Sequence, residues 1–200
     1  MPFLIDDAYL PATLTAQPMT DEEFTAFCAI HPDLNFEMSA EGELIVMPPT
    51  HFDGGVSNSD VDRQLGDWAK RDRRGYVCDS STGFVLPNGA RRAPDVSWTL
   101  KSRVQQLGAR KRKAFLHLCP DFVVELRSPS DRLPTLQAKM REWIDNGAKL
   151  GWLIDPKTRC VYIYRPGQTT ERLVNPGRVE GESPIDGFTL EMADIWNPDL

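Results

Sequence analysis

The stretch Asp121-Phe122-Val123-Val124-Glu125-Leu126-Arg127 decides how the rest of this chain is read. It is an apolar run of strand length closed by Pro129, the kind that fills the centre of a sheet covered on both faces. Side chains alternate along a strand, so Glu125 and Arg127 share a face with Val123, while Phe122, Val124 and Leu126 take the other. An ionised glutamate in mid-strand is costly to bury without a cation. A metal ion or the adjacent Arg127 would meet that need. The plainer account is a structural Glu–Arg pair, or an exposed face of an edge strand.

Downstream of this strand, a helix is expected to begin near Pro134, which suits the first helical turn, and to run to Asn146-Gly147. Leu136, Met140, Trp143 and Ile144 form its inward stripe. Residues 151–155 and 159–165 flank the turn Asp155-Pro156-Lys157-Thr158 as a hairpin, and the Pro- and Gly-rich remainder should add edge strands ending at Trp196. Upstream, Thr20-Asp21-Glu22-Glu23 is a capping box that opens a short helix carrying Phe24 and Phe27. Residues 34–38 and 43–47 read as a hairpin about Glu41-Gly42, stopped by Pro48-Pro49. A long helix is expected from about residue 57 to 73, with Val61, Leu65 and Trp68 on one face and Gly75 as its C-cap. Residues 76–78, 83–86 and 95–100 read as short strands, with Pro87-Asn88-Gly89 a turn between the latter two.

Together these elements predict one α/β domain with a mixed central β-sheet flanked by helices. Residues 1–19 form an N-terminal arm and 20–200 the domain, with a core of about 20–165 and a C-terminal β extension over 166–200. Two hundred residues suffice to bury a substantial core, and 40% hydrophobic with 26% charged residues is ordinary for a globular chain. Residues 1–9 carry Asp6 and Asp7 and no basic region, unlike a signal peptide, and no apolar run reaches membrane-span length. A cytoplasmic protein without a membrane partner is expected. Cys28, Cys78, Cys119 and Cys160 stand far apart, as do His31, His51 and His117, which disfavours a zinc or redox site and favours reduced, buried or half-buried thiols.

The net charge of −6 argues mildly against a nucleic-acid binder. Basic residues nevertheless cluster at Lys70, Arg71, Arg73 and Arg74, at Arg91 and Arg92, and over 110–113. Each cluster also has a plain reading as solvated surface.

Three more residues qualify as candidates for chemistry. Asp95 follows Pro94 at the start of a strand; Glu37 sits among apolar residues of the first hairpin; Lys139 borders the apolar stripe of the helix after Glu125. Taken singly, each has an ordinary account: a turn, an outward-facing strand position, and a lysine whose stem lies on the core while its head reaches water.

In order, Glu37, Pro94-Asp95, Glu125-x-Arg127 and a helix with Lys139 resemble the putative restriction endonuclease family of bacteria, within the PD-(D/E)XK nucleases. The local strings Phe36-Glu37-Met38, Gly42-Glu43-Leu44, Asp121-Phe122-Val123-Val124-Glu125-Leu126, Ser128-Pro129-Ser130, Lys139-Met140-Arg141-Glu142-Trp143 and Gly151-Trp152-Leu153-Ile154-Asp155-Pro156 are similar to that family's over about residues 20–165. The resemblance implies a restriction-endonuclease-like fold and a Mg²⁺-dependent endonuclease (Mn²⁺ as the alternative ion) acting on nucleic acid, with DNA expected and RNA left open. By analogy it also implies a homodimer.

Carried over by position, Asp95, Glu125 and the Leu126 backbone carbonyl would bind the metal. Glu37 would be the helper acid, Lys139 the catalytic lysine, and His51 and Arg127 substrate contacts. Arg127 stands where the parent pattern has lysine and cannot act as a base, because its guanidinium stays protonated. Trp143 stands where the family has Tyr, an aromatic exchange expected to leave the chemistry untouched. The alternative is an inactive nuclease fold serving as a nucleic-acid-binding or regulatory module. A Ser/His hydrolase is disfavoured, since no G-x-S-x-G is present.

Overall fold

The structure is a computed structural model that describes residues 12–15, 19–47, 50–108 and 115–198. In chain order its first elements are β1 (Ala12–Thr15), α1 (Asp21–Ala29), β2 (Asn35–Met38), β3 (Glu43–Met47), α2 (Phe52–Asp72), β4 (Gly75–Asp79), β5 (Phe84–Val85), β6 (Arg91–Arg92), β7 (Val96–Leu100) and α3 (Lys101–Gln106). There follow β8 (Phe122–Leu126), α4 (Leu133–Asp145), β9 (Leu150–Asp155), β10 (Cys160–Tyr164), β11 (Glu171–Val174), β12 (Arg178–Glu180), β13 (Thr189–Glu191) and α5 (Ala193–Trp196).

Strand β8, the stretch quoted first, lies inside a six-stranded sheet of order β11-β10-β9-β8-β7-β4. All five of its residues are buried. Its pairing with β9 is parallel and the sheet's other pairings are antiparallel, so the sheet is mixed. A parallel pair needs a crossover, and α4 supplies it.

Alternation then sorts the core. Phe122, Val124 and Leu126 meet Val96, Trp98, Trp152 and Ile154 on the face where α2 packs Val61, Leu65 and Trp68. Val123 and Leu153 face the other way, against Met140 and Trp143 of α4. Asp121 ties the start of the strand down, since its carboxylate accepts the Leu100 N–H at 2.9 Å and pairs with Arg103 at 2.7 Å.

Beside this sheet stands a second, antiparallel one of order β1-β3-β2-β6-β5, with its own small core of Phe24, Phe36, Met38, Leu44 and Val46. The strands therefore do not all lie in the one central sheet that the sequence predicts, and β6 is an additional strand. A two-residue strand carrying Arg91-Arg92 has no apolar period to announce it. The capping box at α1 forms as read, with Thr20 accepting the Glu23 N–H and Glu23 accepting the Thr20 N–H.

Helix α2 begins five residues earlier than expected, through Gly54 and Gly55. The Gly55 N–H bonds to the His51 carbonyl at 2.9 Å, so the turn closes despite the poor helix propensity of glycine. Its C-cap is Arg73, in the left-handed region at φ 64°, and not Gly75. Gly75 instead opens β4, where a Cβ would lie 2.1 Å from the Trp98 ring. All four cysteines are free thiols, Cys119 and Cys160 buried. Among the described residues no helix is long and apolar enough to cross a membrane. Residues 1–9, Pro48-Pro49 and the basic run 110–113 lie outside the described residues.

Gly75→Ala should lower stability by about 1–3 kcal/mol through overpacking against Trp98. A drop in thermal midpoint of several degrees is expected, and an unchanged midpoint would show that the Trp98 ring yields without cost.

Candidate active site

The Val96↔Val124 register of β7 and β8, continued by one residue, sets Asp95 across from Glu125. Glu125 faces the α4 side with Val123, and Asp95, one residue before β7, lies close enough for its charge to act on Glu125. Asp95 is fixed by the Leu126 N–H, which bonds its Oδ2 at 2.6 Å, and by the Asn58 Nδ2 at 3.2 Å from its Oδ1.

Helix α4 places Lys139 and Trp143 four residues apart, hence on one side of the helix, and both reach Glu125. The Lys139 Nζ lies 2.9 Å from Glu125 Oε1 and 3.0 Å from Oε2, while the Trp143 Nε1–H donates to Oε1 at 2.9 Å. The same ammonium lies 2.8 Å from Glu37 Oε1 on β2. Lys139 therefore bridges the two sheets. Glu37 is held further by the Ala93 N–H at 3.0 Å and by Arg92 Nη1 at 3.0 Å, and Arg92 in turn binds Glu142 at 2.6 Å.

The electrostatics follow from burial and charge count. Burial works against the ammonium of Lys139, but Glu125 and then Glu37 outweigh it and raise its pKa further above the ordinary lysine value. Burial likewise opposes the Glu37 anion, yet Lys139 and Arg92 hold its carboxyl below the usual range. Glu125 fares differently. Burial pushes its carboxyl up to about 8, and the charges of Asp95 and Glu37 add to that against the pull of Lys139. Burial also raises Asp95, against the Leu126 N–H.

Four carboxylates (Glu37, Asp95, Glu125 and Glu142) thus face two cationic side chains, Arg92 and Lys139. The cluster is short of positive charge, which favours a proton on Glu125 or, in its place, a cation. Hard carboxylate oxygens suit Mg²⁺ or Mn²⁺, and Mg²⁺ needs only one or two carboxylates because it keeps water as further ligands. Among the described residues no group of three or more His, Cys, Asp or Glu forms a ready-made cage. The residues fit a cation bound by the Asp95–Glu125 pair with water completing its shell.

The structure thus brings Glu37, Glu125 and Lys139 into direct contact and sets Asp95 beside them. Arg127 is elsewhere engaged, its Nη1 2.9 Å from the fully buried Asp155 and its Nε on the Asp131 carbonyl. The cation that answers Glu125 is Lys139, not Arg127. His51 is exposed at the N-cap of α2, without a side-chain cap bond.

Three further residues, Trp143, Arg92 and Asn58, touch the site's carboxylates although sequence patterns do not assign them to it. Trp143, expected to be an inert aromatic exchange, donates to Glu125. Arg92, grouped with Arg91 as possible surface charge, is mostly buried and ion-paired, and Arg91 pairs with Asp21 at 2.7 Å. Asn58 extends the α2 stripe back by three residues from Val61, and a polar residue on an apolar stripe was the available signal.

The chain matches the family model described as putative restriction endonuclease over residues 21–193. No curated protein sequence matches it. The crystal structure of a putative nuclease from Anabaena variabilis is similar, with TM-score 0.73 at 22% identity, covering 90% of this chain and 98% of that one. The likeness shows the restriction-endonuclease-like α/β fold.

The raised Glu125 carboxyl gives a signed pH dependence for chelator-treated protein. Its folded pKa of about 8 lies above the ordinary 4.5, so its contribution to stability is complete below about 4.5 and is lost as pH rises through about 8. The thermal midpoint of the wild type should fall more steeply across that window than that of Glu125→Gln. Parallel profiles would show that Glu125 is ionised throughout.

Proposed function

The chain belongs to the putative restriction endonuclease family, and from that premise we propose that it hydrolyses phosphodiester bonds of DNA with the help of Mg²⁺ or Mn²⁺. The observation that carries the reading is Asp95 beside Glu125 at the end of the β7–β8 pairing, with the Lys139 ammonium on the Glu125 carboxylate.

In this reading Asp95, Glu125 and the Leu126 carbonyl hold the cation. When bound, the cation supplies positive charge that acidifies water and offsets the charge gained by phosphate oxygens. Lys139 is held protonated by two carboxylates, so it serves as a hydrogen-bond donor and a fixed positive charge toward the phosphate or the attacking water, not as a base. Glu37 positions Lys139, and Arg92 with the Ala93 N–H positions Glu37. Trp143 orients Glu125 by donating to one of its oxygens. A homodimer would let two such sites address the two strands of a duplex, and His51, exposed at the start of α2, is available to the backbone of a bound strand.

A second reading has its own support. Glu125 already has both oxygens engaged by Lys139 and Trp143, and the net charge is −6. An inactive nuclease fold acting as a binding or regulatory module would look the same.

Incubating the protein with single-stranded, duplex and branched DNA, and with RNA, in Mg²⁺, Mn²⁺ or chelator separates the two. Cation-dependent cleavage of DNA is expected, reduced at least 100-fold in Asp95→Asn, Glu125→Gln and Lys139→Met, whose folding is checked by circular dichroism. Full activity in the Glu125 or Asp95 variant would refute the assignment. No cleavage together with no rise in thermal midpoint on adding cation would favour the inactive module.

A further inference from the structure

Asn58 lies on α2, on the opposite face of the six-stranded sheet from α4, and still reaches the site because Asp95 stands immediately before β7, at the end of the sheet. With Val61, Leu65 and Trp68 it falls at i, i+3, i+7 and i+10, which is the stripe this helix turns to the core. Packing gives no reason for an amide there. The hydrogen bonds give half of one. The Asn58 Nδ2–H donates to Asp95 Oδ1 at 3.2 Å, so the NH₂ end of the amide is the one that meets the carboxyl group. That fixes the orientation of the other end.

The Asn58 Oδ1 is then left buried, with no hydrogen-bond partner among the described residues. A buried acceptor that is left unmade costs free energy, and native proteins rarely retain one without a use. Oδ1 shares a carbon with Nδ2 and so lies in the immediate surroundings of Asp95. An orphaned carbonyl oxygen can accept from water or bind a cation, and beside a carboxylate in a cluster short of positive charge a cation is the favoured partner. An amide oxygen is a hard donor of the type that binds Mg²⁺, Ca²⁺ or Mn²⁺. Being neutral, it adds no charge to a cluster in which carboxylates already outnumber the cations Arg92 and Lys139.

We propose that Asn58 is a further ligand of the divalent-cation site, its Oδ1 donating to the cation while its Nδ2 braces Asp95. This rests on the cation-dependent reading of the site given above. It assigns a residue from α2 to a centre otherwise built from β7, β8 and α4, and it gives the orphaned oxygen a partner.

The experiment is calorimetric titration of Mn²⁺ into chelator-stripped wild type, Asn58→Ala and Asn58→Asp, with thermal midpoints recorded for each. The wild type should bind. Asn58→Ala should bind on the order of 10-fold more weakly. Asn58→Asp loses the N–H to Asp95 and sets two carboxylates together, so its metal-free midpoint should fall. Yet it restores an oxygen donor, so its affinity should return at least to that of the wild type.

Equal affinity of wild type and Asn58→Ala would overturn the inference alone. So would Asn58→Asp binding no better than Asn58→Ala, because a residue that merely braces Asp95 through its NH₂ is damaged by both changes. No binding by the wild type would overturn the inference together with the reading on which it rests.

Discussion

The structure depends on one buried ammonium, that of Lys139, held between the carboxylates of Glu37 and Glu125. Glu37 belongs to the antiparallel sheet, Glu125 to the mixed sheet, and Lys139 to the helix that crosses over between β8 and β9. One charge thus ties two consecutive elements, β8 and α4, to β2 far upstream in the sequence. Such a contact is weak ground for stability, because removing three charges from water costs about as much as their attraction returns. Deleting one partner of a buried pair is another matter, at about 3–5 kcal/mol, since the remaining charge is stranded. The arrangement is therefore better understood as positioning than as glue.

Around that ammonium the charges do not balance. Arg92 and Lys139 answer part of the acid cluster, and Glu125 is left with a strong preference for its proton while Glu37 is left an anion. Two glutamates contacting the same lysine are thus driven in opposite directions. Glu37 has Arg92 and a backbone N–H as additional partners, whereas Glu125 has the neighbouring anion of Asp95. This division separates a residue that orients from a residue that has room for one more positive charge.

The local grammar of the chain was largely legible. The capping box at Thr20, the apolar run at Phe122–Leu126, the proline at the start of α4 and the Asp155-Pro156 turn each rest on interactions among residues close in sequence, and each forms as read. The start of α2 and its C-cap were misplaced, because Gly54 and Gly55 join the helix and Arg73 takes the left-handed position that Gly75 was expected to fill. Gly75 is needed for a contact with Trp98 on a neighbouring strand, which no local pattern can announce.

Period and spacing are properties of a single segment, so the central strand, the helix that follows it and the four residues available for chemistry are legible in the chain. Which cation answers Glu125 is settled by packing alone. Strand alternation put Arg127 on the correct face, but Asp155 on the adjacent strand captures it, and Lys139 takes its place from the helix above. Packing also decided that Arg92 is an inner partner of Glu37, that Trp143 is a donor as well as core, and that Asn58 points an amide at Asp95. Each of these is a pairing between residues 14 to 55 positions apart, set by how sheets and helices stack rather than by what lies next along the chain.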